Sequence, residues 1–285
     1  MIFKGGTSLS KAYNAIHRFS EDVDLSLDRA QLGFTGDRDP QNPDLSGKKQ
    51  KVLLDELSAA ASGLVAGTVL TALGAAFRNH LDQPFHLSID PDDPQTLLFA
   101  YPALQAVGRS AAYVKPVIRF EFGARGVHIP AEEKQITPYL NDVLPGVLSQ
   151  PDVSVKVLGI ERTFWEKATI LHMLCHQDGT KPLADRMSRH YYDMAMLLGH
   201  EAKDRALANL ALLGDVAHHK AVFFRAARAS YETAKPGTLR LRPTGPIEAA
   251  LRRDYAGMQE MILGVPPSFD DILTRIGAFE AEING

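Results

Sequence analysis

The sequence has very little cysteine and no excess of charge of either sign. Its 285 residues include one cysteine, Cys175, so no disulfide can form within the chain. This usage is typical of a reducing compartment, and we expect a cytoplasmic protein. The formal net charge of −3 excludes a protein that coats nucleic acid through a global positive field. Any contact with nucleic acid must therefore come from a local basic patch.

Long hydrophobic runs are also missing. The most apolar stretch, residues 59–76, is interrupted by glycine, serine and threonine, whereas a transmembrane helix needs about 20 predominantly apolar residues. The N-terminal Met-Ile-Phe-Lys-Gly-Gly lacks the layout of a secretory signal. We expect no membrane partner, and a hydrophobic content of 45% predicts a globular fold of one large or two modest domains.

The pattern of apolar residues changes near residue 150. The first part predicts a helix over 8–16, a helix over 48–80 interrupted near residues 63–67, and strands over 23–27, 85–89, 97–101, 114–122 and 153–158. The second part predicts helices over 161–176, 184–198, 203–213, 217–233, 246–263 and 269–283. The fold class is therefore predicted to be α+β, with a domain over 1–150 and an α-helical domain over 151–285.

Two adjacent glycines, Gly5 and Gly6, stand where the first helix is predicted to begin. Glycine lets the backbone approach a ligand closely, and the free N–H groups of a helix start can face a phosphate. Thr7 and Ser8 add hydroxyl donors. Such a pair on its own is more often only a turn, but here it precedes two aspartates.

Asp22 and Asp24 are two residues apart on a predicted strand, so their side chains share one face. Two carboxylates on one face repel each other unless a cation lies between them, and hard oxygen ligands suit Mg²⁺, which usually also binds substrate phosphates. An Asp-x-Asp pair alone is more often an exposed strand edge. Together with the glycine pair, it predicts a magnesium site beside a phosphate-binding turn, an arrangement suited to phosphoryl transfer.

A third carboxylate would lie on a neighbouring strand. Glu121 is the best candidate, because it alternates with apolar residues, although it could instead face solvent or pair with Arg119. Asp90, after the run Leu-Ser-Ile, is a weaker candidate.

The sequence resembles a known family at several separate motifs. Phe-Lys-Gly-Gly-Thr-Ser-Leu-Ser-Lys-Ala-Tyr (3–13) and Arg-Phe-Ser-Glu-Asp-Val-Asp-Leu (18–25) are similar to motifs of the AbiEii/AbiGii toxin family, which includes MenT-like nucleotidyltransferases. Further similar segments are 162–172, 189–194, 254–261 and 267–270. The resemblance implies a polymerase-β-like nucleotidyltransferase domain, with a mixed sheet and flanking helices, followed by an α-helical domain.

The resemblance also implies roles for individual residues. The residues implied to cradle a nucleoside triphosphate are Lys4, Gly5, Gly6, Thr7 and Ser8. Asp22 and Asp24 would bind Mg²⁺ or Mn²⁺, with Glu121 as a further catalytic carboxylate. Lys167 would contact the phosphates, and Asp193 would orient that lysine or take part in catalysis. Ser20 would be a site of regulatory phosphorylation, since a phosphate beside two carboxylates would block metal binding.

The implied function is that of the toxin half of a bacterial toxin–antitoxin pair. Such an enzyme would transfer a nucleotide to an acceptor hydroxyl on RNA, most plausibly the 3′ end of tRNA, and would have a cognate antitoxin; DNA is not an expected partner. Two alternatives stay open. The chain could be a catalytically inert nucleotide-binding protein that partners an antitoxin, or it could transfer nucleotides to protein side chains.

His172, Cys175 and His176 have a spacing that can bind zinc. The metalloprotease pattern would need a glutamate directly after the first histidine, and the sequence has a methionine there. A packing or capping role for these residues is therefore the favoured interpretation. Tyr191 and Tyr192 could stack a base, but core packing is again favoured.

Overall fold

The computed structural model describes residues 1–20, 22–101, 116–226 and 228–285. The chain forms two compact units, and each combines separate stretches of sequence. The first unit comprises 1–7 and 21–128, and the second comprises 8–20 and 129–285. Helix α1 (Gly5–Lys11) spans the point in the sequence where the first stretch ends. The division at residue 150 stays a prediction.

Five strands among the described residues of the first unit form a mixed sheet. They are β1 (Ile2–Lys4), β2 (Asp22–Ser26), β3 (His86–Ile89), β4 (Thr96–Ala100) and β5 (Val117–Gly123). Their order is β3-β4-β5-β2-β1; β2 and β5 run parallel, and the other neighbours run antiparallel. Strand β1 was not predicted, and residues 114 and 115 of the predicted fourth strand lie outside the described residues.

The two faces of this sheet differ in chemistry because apolar and polar residues alternate along β5. On one face, the rings of Phe99 and Phe120 lie 4.5 and 6.2 Å from the ring of Phe77 on helix α3 (Leu70–His80). The opposite face presents Arg119 and Glu121. The apolar face is covered by the helix, and the polar face is the one that carries the predicted carboxylates.

The predicted helix over 48–80 is confirmed as a 34-residue helical segment. It consists of α2 (Gly47–Leu64), one π-helical turn (Val65–Val69) and α3, so the predicted interruption is a change of helix type. Ser46 caps its start by accepting a hydrogen bond from the Lys49 N–H. By length and composition alone, this segment could cross a membrane.

The second unit begins its main stretch with an antiparallel pair of strands, β6 (Ala131–Ile136) and β7 (Val153–Leu158). The short helix α4 (Tyr139–Val143) lies between them in sequence. Strand β7 was predicted and is confirmed. Strand β6, Ala-Glu-Glu-Lys-Gln-Ile, was missed because it is too polar to show an apolar alternation.

The described part of this unit has six further α-helices. They are α5 (Ile160–Cys175), α6 (Ser188–Leu197), α7 (Ala202–Leu207), α8 (Ala211–Phe223), α9 (Gly245–Met258) and α10 (Phe269–Asn284). Helix α5 packs against α6, α7 and α8, while α6 also packs against α9 and α10. The predicted helix over 217–233 is wrong: α8 ends at Phe223, and only Tyr231–Thr233 form a 3-10 turn, with residue 227 outside the described residues.

Candidate active site

Gly5 lies directly against one of the predicted metal-binding carboxylates. Strand β1 ends at Lys4, and α1 begins at the next residue. Gly5 has φ +73°, in the left-handed region that favours glycine. A Cβ atom at this position would lie 1.9 Å from Oδ2 of Asp24. Both the backbone conformation and the close approach of Asp24 therefore require glycine here.

The other residues of the glycine turn, Lys4, Thr7 and Ser8, have different surroundings. The Thr7 hydroxyl donates a hydrogen bond to the backbone carbonyl of Asp22 and so ties the turn to β2. Lys4 faces Asp24 in the register of β1 and β2. Ser8 belongs to the second unit and is fully buried, so its side chain is enclosed by protein.

The three predicted carboxylates of the first unit share one face of the sheet. In the parallel pairing of β2 and β5, Asp22 is the partner of Arg119, and Asp24 is the partner of Glu121. Directly paired residues in neighbouring strands point to the same side, as do residues two apart on one strand. The structure therefore brings Asp22, Asp24 and Glu121 together beside Gly5.

Arg119 lies among these carboxylates. Its Nε atom is 3.7 Å from Oδ1 of Asp22 and 3.5 Å from Oε1 of Glu121. Its Nη1 atom donates a 2.7 Å hydrogen bond to Oδ2 of Asp90. Asp90, the weaker candidate for the third carboxylate, is thus a partner of Arg119. Within the described stretches of the chain, no three His, Cys, Asp or Glu side chains form a ready metal cluster.

The electrostatics of the sheet face act most strongly on Glu121. Burial raises the pKa of the Glu121 carboxyl, and the negative charges of Asp22 and Asp24 raise it further. Arg119 opposes this shift through its charge and a hydrogen bond. A nearby positive charge would therefore favour the ionised form of Glu121.

A second cluster lies entirely within the second unit. Lys167 on α5 donates a 2.7 Å hydrogen bond to Oδ2 of Asp193 on α6. Arg18, from the segment before β2, binds the same carboxylate in a bidentate manner, with Nε 2.7 Å from Oδ1 and Nη2 2.9 Å from Oδ2. Asp193 therefore fixes the position of the Lys167 ammonium group. Lys167 is only 7% exposed, which excludes an ordinary surface lysine.

Burial and charge compete at Asp193. Burial alone would raise the pKa of its carboxyl, but the charges of Arg18 and Lys167 outweigh it and hold the pKa below its usual range. Burial lowers the pKa of the Lys167 ammonium, and Asp193 opposes that change. His190 Nδ1 lies 3.0 Å from Lys167 Nζ, and its pKa is well below the usual value because of burial and the lysine charge. The neutral imidazole therefore accepts a hydrogen bond from Lys167.

No role was predicted for Arg18 or His190, nor was the hydrogen bond between Arg119 and Asp90 predicted. Arg18 is held by its neighbours in sequence: the Phe19 N–H donates to the Met261 carbonyl at 2.7 Å, and the Leu263 N–H donates to the His17 carbonyl at 2.8 Å. The only indication in the sequence was that Arg18 begins the segment over 18–25, which resembles a motif of the family. Its partner lies 175 residues away in sequence, so spacing could not identify it.

The remaining predicted residues have other positions. Ser20 belongs to the second unit and is half-buried. His172 Nδ1 accepts from the Arg240 N–H at 3.0 Å, and Nε2 lies 3.0 Å from the Ser230 carbonyl, so backbone groups engage both ring nitrogens. Burial raises the pKa of the Cys175 thiol to about 12, which keeps it protonated. Tyr191 and Tyr192 are both buried core residues.

Comparison with solved structures identifies a similar fold. The chain matches MenT4, a nucleotidyltransferase toxin from Mycobacterium tuberculosis H37Rv, with a TM-score of 0.50 and 16% sequence identity. The match covers 99% of this chain and 74% of that chain. At this identity the likeness shows a shared fold, and the predicted α+β class is confirmed.

The sequence itself gives the family. No curated protein sequence matches the chain significantly. The family model described as nucleotidyl transferase AbiEii toxin, type IV toxin–antitoxin system, matches residues 1–275. The resemblance found in the motifs is therefore confirmed over nearly the whole sequence. The chain belongs to the AbiEii family of nucleotidyltransferase toxins of type IV toxin–antitoxin systems.

Proposed function

We propose that this protein uses a nucleoside triphosphate and Mg²⁺, or Mn²⁺, to transfer a nucleotide to an acceptor hydroxyl. The observation that carries the proposal is the position of Asp24. Its carboxylate shares a sheet face with Asp22 and Glu121 and lies against the α-carbon of Gly5. A triphosphate at the glycine turn would therefore be next to the carboxylates.

The donor set of this face suits a magnesium ion. Asp22 and Asp24 offer hard carboxylate oxygens, which Mg²⁺ prefers, and Glu121 offers a third. Gly5 has no side chain, so the Asp24 carboxylate can lie directly against the glycine turn, where a Cβ would overlap it. When bound, the metal would supply charge neutralisation to the phosphates and activation of the attacking hydroxyl.

Phosphate binding is assigned to the turn and to the lysine of the second unit. The turn residues proposed for it are Lys4, Gly5, Gly6, Thr7 and Ser8, with backbone N–H groups as the principal donors because Ser8 is buried. Lys167 is proposed to contact phosphate, and Asp193, which binds its ammonium group at 2.7 Å, is proposed to orient it. Ser20 is proposed as a regulatory phosphorylation site because it lies two residues before Asp22.

The proposed acceptor is RNA, with the 3′ end of tRNA as the first candidate. The net charge of −3 requires that RNA contacts come from local arginines. Arg240, Arg242 and Arg253 of the second unit are exposed and are candidates for phosphate contacts. We further propose that the protein acts in the cytoplasm, where its acceptor is found, and that a cognate antitoxin counteracts it.

The test is an acceptor screen. Purified protein is incubated with Mg²⁺ and each of four labelled triphosphates, against total RNA and against total protein, with Asp24→Asn as the matched inactive control. Label on RNA that is lost in Asp24→Asn supports the proposal, and end-mapping of the labelled RNA gives the position.

The two alternatives give different results in the same screen. Label on protein alone would identify transfer to side chains. Nucleotide binding without pyrophosphate release would identify an inert binding protein. The proposal fails if neither RNA nor protein is labelled and if wild type and Asp24→Asn are equally non-toxic in cells.

A further inference from the structure

Arg119 is a cation that nothing in the proposed reaction uses. It stands on β5 within the polar sheet face, directly opposite Asp22 in the register. Its guanidinium spans three carboxylates: Nε is 3.7 Å from Asp22 and 3.5 Å from Glu121, while Nη1 is 2.7 Å from Asp90. The guanidinium therefore lies beside two of the carboxylates that are proposed to bind magnesium.

The three contacts of Arg119 differ in length and in solvent exposure. The hydrogen bond to Asp90 is short, and the Asp90 side chain is only 7% exposed. Asp90 is in turn held in place, because its Oδ1 accepts from the Asp92 N–H at 3.0 Å and its own N–H donates to the Thr96 carbonyl at 2.9 Å. The contacts to Asp22 and Glu121 are longer and more exposed, so they can be exchanged more easily.

We propose that Arg119 is a built-in counter-ion of the metal-binding carboxylates, and that Asp90 is the tether that restrains it. In the metal-free protein, the guanidinium partly neutralises Asp22 and Glu121 and keeps the carboxylates assembled. A divalent cation must then compete with this positive charge. Asp90 draws the guanidinium to one side, which eases that competition.

This inference rests on the proposed function, because it assumes that Asp22 and Asp24 bind a metal. It makes two predictions of opposite sign. Removing the positive charge at 119 should tighten metal binding, because a fixed cation near a divalent ion opposes its binding. Removing the negative charge at 90 should weaken metal binding, because Arg119 then interacts more strongly with Asp22 and Glu121.

The experiment measures Mn²⁺ binding directly, by titration with electron paramagnetic resonance of the free ion, at pH 8 so that the carboxylates are ionised. Arg119→Gln is expected to lower the dissociation constant about tenfold, equivalent to about 1.4 kcal/mol. Asp90→Asn, which keeps an acceptor for the Asp92 N–H, is expected to raise it about threefold. Arg119→Lys keeps the charge and should stay closer to wild type than Arg119→Gln does.

Two controls separate the possible failures. Arg78→Gln removes a positive charge from the exposed end of α3 in the same unit and should leave Mn²⁺ binding unchanged. Asp24→Asn should abolish Mn²⁺ binding, both as a single substitution and in combination with Arg119→Gln. Thermal unfolding of each variant checks that it is folded.

If Mn²⁺ binding depends on Asp24 but Arg119→Gln leaves it equal or weaker, the counter-ion role is overturned and the proposed metal site stands. If neither wild type nor Arg119→Gln shows Asp24-dependent binding, the metal part of the proposed function fails, and this inference fails with it. An equal gain in Mn²⁺ affinity from Arg78→Gln would show that the effect comes from the net charge of the protein. That result would also overturn the counter-ion role of Arg119.

Discussion

At the scale of single residues, Gly5 is the most constrained position of the candidate site. Two independent features disfavour a side chain here: the φ of +73°, and the Asp24 Oδ2 atom, which lies 1.9 Å from the position that a Cβ would occupy. Either would disfavour a side chain, and together they leave no room for one. The position thus links the backbone of the turn to the orientation of a proposed metal ligand.

Gly5→Ala is therefore expected to abolish nucleotidyl transfer and to destabilise the fold by about 1–3 kcal/mol, because the methyl group must displace Asp24 and the backbone is strained. Labelled-nucleotide incorporation and urea denaturation are the measurements. Gly63→Ala, on an exposed helix position where a Cβ meets nothing within 4 Å, is the matched control. It should keep full activity and gain up to about 1 kcal/mol in stability; an active Gly5→Ala protein would contradict the role given to this turn.

At the scale of elements, one buried carboxylate joins α5, α6 and the segment before β2. Asp193 on α6 binds Lys167 on α5 and Arg18 from the segment that follows α1. Two cations share one fully buried anion, so the three elements depend on a charge balance as well as on apolar packing. Removing the anion leaves two poorly solvated cations, whereas removing one cation leaves a neutralised pair.

Asp193→Asn is accordingly expected to lower the free energy of unfolding by about 3–5 kcal/mol, and Lys167→Met by less. Denaturant titrations of both variants would show the order. Asp215→Asn, at an exposed position on α8, should change stability by no more than about 0.5 kcal/mol. Equal losses in Asp193→Asn and Lys167→Met would mean that the charge balance does not govern this cluster.

The elements also show what the sequence can predict. The long helix, β2, β7 and the shared face of Asp22, Asp24 and Glu121 follow from local periodicity, which is why they could be predicted. Strand β6 forms only because it pairs with β7, and no local pattern encodes that pairing. The end of α8 at Phe223 has the same origin.

Beyond α8, the chain is redirected by contacts distant in sequence. Arg228 pairs with Asp178, and the Ser230 carbonyl contacts His172. Both Arg228 and Ser230 have positive φ, which a helix cannot contain. Arg18 escaped prediction for a related reason, because the role of this buried arginine depends on Asp193, a partner that only the fold brings to it.

At the scale of the whole molecule, four buried or half-buried histidines make stability depend on pH. Burial is the main cause of a lowered pKa at His128, His172, His176 and His190. Near pH 6.5 the unfolded chain binds more protons at these side chains than the folded protein does. Because the unfolded state binds more protons, stability falls as the pH drops below about 6.5.

The expected result is a clear decrease in the melting temperature between pH 7.5 and pH 5.5. In His172→Asn, the amide can still donate to the Ser230 carbonyl and accept from the Arg240 N–H. Because this variant has one titrating histidine fewer, its melting temperature should decrease less. The contribution of one histidine to the free energy of unfolding is at most about 1.4 kcal/mol per pH unit. Calorimetry at both pH values gives the comparison. A melting temperature that is flat over this range would show that the histidines are not held neutral by the fold.

The origin of Arg18 has a consequence for how the gene can be divided. The second unit draws residues 8–20 from the beginning of the chain and the rest from 129 onward. A gene fragment that starts at residue 129 would encode strands β6 and β7 and helices α4 to α10. It would not encode Arg18, whose guanidinium pairs with Asp193. Truncation or recombination near the middle of the gene would therefore yield a second unit that lacks Arg18.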